Sequence, residues 1–168
     1  MSDHLTHQIS IRAAAVADVP QILAVHRAAV LEGAANSYDI ETRHAWAADQ
    51  SPAWITRLTD ALTSGTELIL VATQNDRVIA FGSIIPAESE LRALYVDSAC
   101  LHRGVGSRLL NHLELLAIKW GITALSFDAS INAQAFYAKH GYQELVLGSH
   151  RLSNGVSMPC IRMRKELS

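Results

Sequence analysis

Cysteine is scarce: Cys100 and Cys160 are the only two, and their spacing matches no metal or redox motif, so both read as small buried side chains. Eight histidines are present, yet none stands in a His-Glu-x-x-His or Cys/His cluster, and no metal site is expected. Lysine and arginine form no basic block and the formal charge is −2, which leaves no electrostatic footprint for nucleic acid or an anionic membrane. There is no apolar run of about 18 residues, and the first eight residues, MSDHLTHQ, carry neither a basic patch nor an apolar stretch. These absences point to a soluble, cytoplasmic protein. Internal repeats, low-complexity tracts and interdomain linkers are also missing, so one domain is expected over 9–168, behind a disordered N-terminus over 1–8.

What is present is a core-forming composition. Apolar residues make up 49% and charged residues 18%, and a chain of this length buries roughly 70% of its unfolded surface. A strand fits 9–12. Asp18 and Pro20 then mark a helix start, with Ile22, Leu23, Val25, His26, Ala29 and Val30 as its buried stripe, His26 on or beside it as a satisfied core or boundary histidine. The segment 32–51 is less regular, with a short helix over 40–48. Tyr38 and Trp46 there either line a pocket or fix the loop to the core. Pro52 opens a further helix that Ser64-Gly65 ends. Strands at 67–73 and 78–85 flank the turn signal QNDR and form a meander with Glu90–Val96. Further strands at 123–128, 142–147 and 156–163, with a helix at 132–140, complete an α/β domain with a mixed sheet flanked by helices.

The stretch 90–116 organises the rest. A strand-forming run, Glu90–Val96, passes through a loop with Arg103, Gly104 and Gly106 into a helix with Leu109, Leu110, Leu113, Leu115 and Leu116 at helical spacing. The first turn of a helix leaves amides unpaired and carries partial positive charge, and glycines keep side chains away from a bulky anion there. A diphosphate on the amides of His102, Arg103, Gly104, Val105, Gly106 and Ser107 fits this junction; a plain tight turn with solvated arginines fits it equally. A Walker loop is excluded because Ser107-Arg108 follows Gly106, and a Rossmann fingerprint because Leu109 stands where its third glycine belongs.

LYVDSACLHRGVGSRLL nevertheless resembles the signature of the GNAT superfamily of N-acetyltransferases, a strand ending in Leu-Tyr-Val that leads through Gln/Arg-x-x-Gly-x-Gly/Ala into a long helix. One position departs: Leu101 stands where the family has Gln or Arg. A second stretch, SINAQAFYAKHGY, is similar to the family's Asn-x-x-x-x-Phe-Tyr-x-x-x-Gly-Phe/Tyr motif, through Asn132, Phe136, Tyr137, Gly141 and Tyr142. The resemblance implies a single-domain fold with a mostly antiparallel mixed sheet. In it, Leu94, Tyr95 and Val96 splay from the next strand, and the pantetheine arm of acetyl-coenzyme A lies in the gap as an added strand. It also implies that Asn132 and Phe136 belong to the cofactor site and that Tyr137 stands near the cofactor sulfur.

Acetyl transfer to an amine needs a proton acceptor for the ammonium and a proton donor for the departing thiolate. Tyr137 suits the donor, because a phenol holds its proton near neutral pH. Glu90, at the start of the splayed strand, is the candidate base, with Glu88 as runner-up and water as the alternative. A non-catalytic acyl-coenzyme A sensor and an interaction module are the competing readings. A homodimer is also expected, on the ground that the strand over 156–163 offers an apolar edge.

Overall fold

The computed structural model describes residues 8–168, so the disorder expected over 1–8 lies almost wholly outside the described residues. The elements in chain order are β1 (Ser10–Ala13), α1 (Val19–Ala28), α2 (Ile40–Trp46), α3 (Pro52–Ser64), β2 (Leu68–Gln74), β3 (Arg77–Ile85), β4 (Glu90–Val96), α4 (Val105–Lys119), β5 (Ala124–Ser130), α5 (Gln134–Lys139), β6 (Gln143–Arg151) and β7 (Ser157–Glu166). All seven strands join one sheet in the order β1-β2-β3-β4-β5-β7-β6. Every neighbouring pair is antiparallel except β4 and β5.

Helices cover both faces. On one, α4 packs through Val105, Leu109, Leu110, Leu113 and Ala117, all buried, against Ala72, Ala80, Leu125 and Phe127. Leu115, counted at helical spacing with the core leucines, points to solvent at 58% exposure, because the buried stripe of a helix resting on a sheet is narrow. Close packing is possible because β3 has a glycine beneath the helix: a Cβ on Gly82 would stand 2.5 Å from Leu113 Cδ1 and 3.0 Å from the Ala93 carbonyl oxygen. On the other face α1 and α3 lay Val19, Ile22, Leu23, Val25 and Leu58 over Ile69, Val71, Val78 and Phe81.

The helix starts follow their sequence signals with one difference. Asp39 caps α2 by accepting from the Thr42 amide at 2.8 Å, and α3 begins at Pro52 and ends at Gly65, whose φ is +70°. Asp18, expected to cap α1, instead accepts from the Ala15 amide and holds Arg12 of β1 through two bonds of 2.7 and 2.9 Å. That bidentate pair pulls the Asp18 carboxyl below its usual range.

The topology corrects the placement of the expected edge. β7 lies inside the sheet between β5 and β6, and the apolar free edge is β6, with Leu145, Val146 and Leu147 exposed at 56%, 61% and 76%. An apolar strand at the end of the chain is not thereby at the sheet edge, since here the last strand inserts between two earlier ones.

Candidate active site

The site forms where β4 and β5 part. These parallel strands share a single register pair, Glu90 with Ser126, supported by the Ser126 amide donating to the Ser89 carbonyl at 3.2 Å. Beyond it a cavity of about 550 Å³ opens, lined by Leu91, Leu94 and Tyr95 from β4 and by Phe127, Ala129 and Ser130 from β5. Strand backbone facing such a gap has unpaired N–H and C=O groups, which suit an extended, amide-bearing ligand.

At one end of β4 the chain runs through a short turn, Ser98–Cys100, into the start of α4. His102 and Gly104 take left-handed backbone angles, φ +60° and +74°. Gly104 is the N-cap, with no side chain over the helix start, and open space surrounds the position of its missing Cβ. Gly106 has ordinary helical geometry, and its Cβ position is 3.5 Å from both Val96 and Phe136, so the helix start sits between the end of β4 and α5. Positive φ is thus needed at Gly104 and not at Gly106. Val105 is buried, Ser107 is half-buried and Arg103 is exposed, its guanidinium 3.5 Å from Gln74 Oε1. The first amides of this 15-residue helix thus have no capping side chain and open space beside Gly104, a cradle that fits a diphosphate.

Tyr137 reaches the cavity from α5. Its ring packs 4.5 Å from Phe127 and 5.2 Å from Phe136. The hydroxyl hydrogen-bonds to no protein group among the described residues, and burial pushes the phenol pKa up. Asn132, in the turn before α5, is exposed, and Phe136 is half-buried. Glu88, in the turn before β4, and Glu90, its first residue, line the cavity. The Glu90 carboxyl is raised above its usual range, first by desolvation and then by its hydrogen bond with Glu88, while Arg92 at 3.4 Å opposes the shift.

The two aromatic candidates separate. Trp46 lines the cavity. Tyr38 is buried away from it: its hydroxyl donates to the Pro159 carbonyl and accepts from the Ile131 amide, both at 2.7 Å. That clamp ties β7 to the turn between β5 and α5, which carries Asn132. His26 also reaches the cavity wall, 4.5 Å from the Tyr95 ring. Its Nδ1 accepts from the Ala48 amide at 3.0 Å, and burial drops its pKa to about 4, so the ring is neutral at pH 7.

Glu67, on the cavity wall, was not singled out from the sequence. A signal was available: it shares strand parity with Ile69 and Val71, so a carboxylate stands where the alternation calls for an apolar residue. Among the described residues no group of three or more His, Cys, Asp or Glu side chains could hold a metal ion, and no helix is long and apolar enough to cross a membrane.

Comparison with known proteins agrees with this geometry. The model of the acetyltransferase (GNAT) domain matches residues 34–167. The uncharacterized N-acetyltransferase YafP of Escherichia coli K12 is 31% identical over 137 residues, 82% of this chain and 83% of that protein. The crystal structure of a GCN5-related N-acetyltransferase from Rhodopseudomonas palustris superposes with a TM-score of 0.86 at 28% identity, covering 98% of this chain and 99% of the other. The PaiA N-acetyltransferase of Thermoplasma acidophilum, solved with coenzyme A, shares the fold with a TM-score of 0.74 at 20% identity, over 95% of this chain and 99% of the other. A strand pair that parts beside an uncapped glycine-led helix, and a domain match that runs through both, place this chain in the GNAT family of acetyltransferases.

Proposed function

We propose that the protein transfers the acetyl group of acetyl-coenzyme A to a primary amine, both bound at once in the gap between β4 and β5. The observation that carries this reading is the single Glu90–Ser126 rung, beyond which β4 and β5 part next to the free amides of α4. A coenzyme A diphosphate suits the amides of His102, Arg103, Gly104, Val105, Gly106 and Ser107. The pantetheine arm suits the backbone of Leu94, Tyr95 and Val96, flanked by Asn132 and Phe136. Leu101, exposed at 42%, offers the diphosphate no polar group, so Arg103 is the cationic side chain nearest that place in the loop.

Acetyl-coenzyme A supplies an activated thioester. The chain's own task is to manage two protons. Glu90, raised by desolvation and by Glu88, takes the proton that the ammonium loses before its nitrogen can attack. Tyr137, still protonated because burial raises its pKa, gives a proton to the sulfur as the carbon–sulfur bond breaks. Trp46 walls the acceptor side.

Isothermal titration with acetyl-coenzyme A, followed by thiol release over a panel of amines, tests the proposal. Binding with amine-dependent release is expected. Binding without release from any amine would identify a sensor, and no binding would overturn the reading altogether.

A further inference from the structure

We infer that Glu67 forms a subsite for the charged nitrogen of the acceptor, an inference that rests on the acetyl-transfer reading above. Glu67 is 8% exposed and lines the cavity just before β2. One carboxylate oxygen accepts from the hydroxyl of Ser83, itself fully buried, and the carboxylate makes no other hydrogen bond among the described residues. Its carboxylate therefore has a single neutral donor from the protein.

Of the arginines lining the cavity, Arg57, Arg92, Arg151 and Arg162, none forms an ion pair with Glu67. Arg92 pairs with Glu90 at 3.4 Å and Arg162 with Asp128 at 3.3 Å, while Arg57 lies over the Trp54 ring, 5.4 Å from its centroid. Among the described residues Glu67 has no ion pair, although it sits in an opening that solutes can enter. The missing partner is therefore a ligand cation. Glu67 also lies in the right place: it bonds Ser83, whose register partner is Ala93 on β4. The carboxylate thus stands over β3, about one strand spacing of 4.8 Å from the strand that carries Glu90. The wall around it is aromatic, with Trp54, Phe81 and Tyr95, so the acceptor class is an amine that arrives as a cation on an apolar or aromatic body. Glu67 acts as a positioning and specificity residue, holding the ammonium until Glu90 takes its proton.

The test uses benzylamine, cationic at neutral pH, and benzyl alcohol as its neutral counterpart. Each is titrated calorimetrically into the full chain, with and without saturating coenzyme A, which carries no acetyl group to transfer. The parent should bind benzylamine about tenfold or more tightly than the alcohol, and Glu67→Gln should erase that preference while changing alcohol binding less than about twofold. Ser83→Ala, which leaves the charge in place but frees it to turn, should weaken benzylamine by a smaller factor. A parent that does not prefer benzylamine, or a folded Glu67→Gln that binds it within about twofold of the parent, overturns the inference. A merely structural role would lower the thermal midpoint and leave the preference intact, which also counts against it. Failure of coenzyme A to bind, with benzylamine preference retained, counts against acetyl transfer alone.

Discussion

Glu90 and Ser126 form the single register pair between β4 and β5, so the residue proposed as the base is also the point at which the sheet divides. Its backbone is held at the closed end of the gap, where strand pairing persists.

Glu90→Gln should lower turnover by about 10²-fold or more, with coenzyme A affinity unchanged. A base works when deprotonated, and desolvation with Glu88 raises this carboxyl. Activity should therefore fall as pH drops through a value above the usual carboxylate range. In Glu90→Gln that acid limb should vanish. A pH profile of kcat/KM with the same limb in parent and variant would assign it to another group.

Gly82→Ala should destabilise the fold by about 1 to 3 kcal/mol. The added Cβ meets the tip of Leu113, which can turn, and the Ala93 carbonyl at 3.0 Å, which cannot move without shifting β4. Urea unfolding measures the loss directly. A neutral substitution would mean that α4 can lift from the sheet at no cost.

Much of this arrangement could be read in the chain because it is local. The run Glu90–Val96 is a strand with those same limits, since its composition favours one and Pro86 and Asp97 bracket it. The glycine loop and the start of α4 follow from Gly104 and the leucine spacing. Strand order was not legible, because no local pattern tells β7 to slide between β5 and β6. Nor was the role of Tyr38: its phenol is fixed by Ile131 and Pro159, both about a hundred residues away along the chain. Glycine alone did not reveal that only Gly104 needs positive φ, since Gly106 already lies inside the helix. For that reason a bulky replacement at Gly104 would strain the backbone as well as crowd a diphosphate.

His26 should make stability fall in acid. Its pKa is about 4 in the folded protein and about 6.5 when unfolded. Between those values the unfolded chain holds the extra proton, so the contribution is complete above pH 6.5 and is lost as pH falls toward 4. The loss amounts to about 3 kcal/mol at most. His26→Asn, which keeps an acceptor near the Ala48 amide, should be less stable at neutral pH but show a flatter decline. Denaturant unfolding at pH 7 and pH 4.5 gives the comparison, and parallel declines would refute the assignment.

The exposed edge of β6 should pair with a second copy. Leu145, Val146 and Leu147 leave an unprotected apolar edge, which chains in solution tend to cover. A dimer mass by light scattering at micromolar concentration is expected, with Leu147→Lys shifting it to monomer. A monomeric parent would show that this edge tolerates exposure.

Tyr137→Phe should depress turnover by about 10²- to 10⁴-fold and leave stability almost untouched. The ring packs against Phe127 and Phe136, and phenylalanine preserves those contacts. The hydroxyl has no protein hydrogen-bond partner among the described residues, so removing it breaks no bond in the fold. A tyrosine kept for structure would behave the other way: its buried O–H would have a partner, and losing it would cost about 1 to 3 kcal/mol. Burial that raises the phenol pKa also keeps the donor protonated throughout the neutral range, so the parent's activity should show no loss from Tyr137 ionisation below pH 9. Thermal midpoint and turnover of the same variant, measured with an amine that supports thiol release, separate the two roles. Turnover within about twofold of the parent would leave solvent as the proton source.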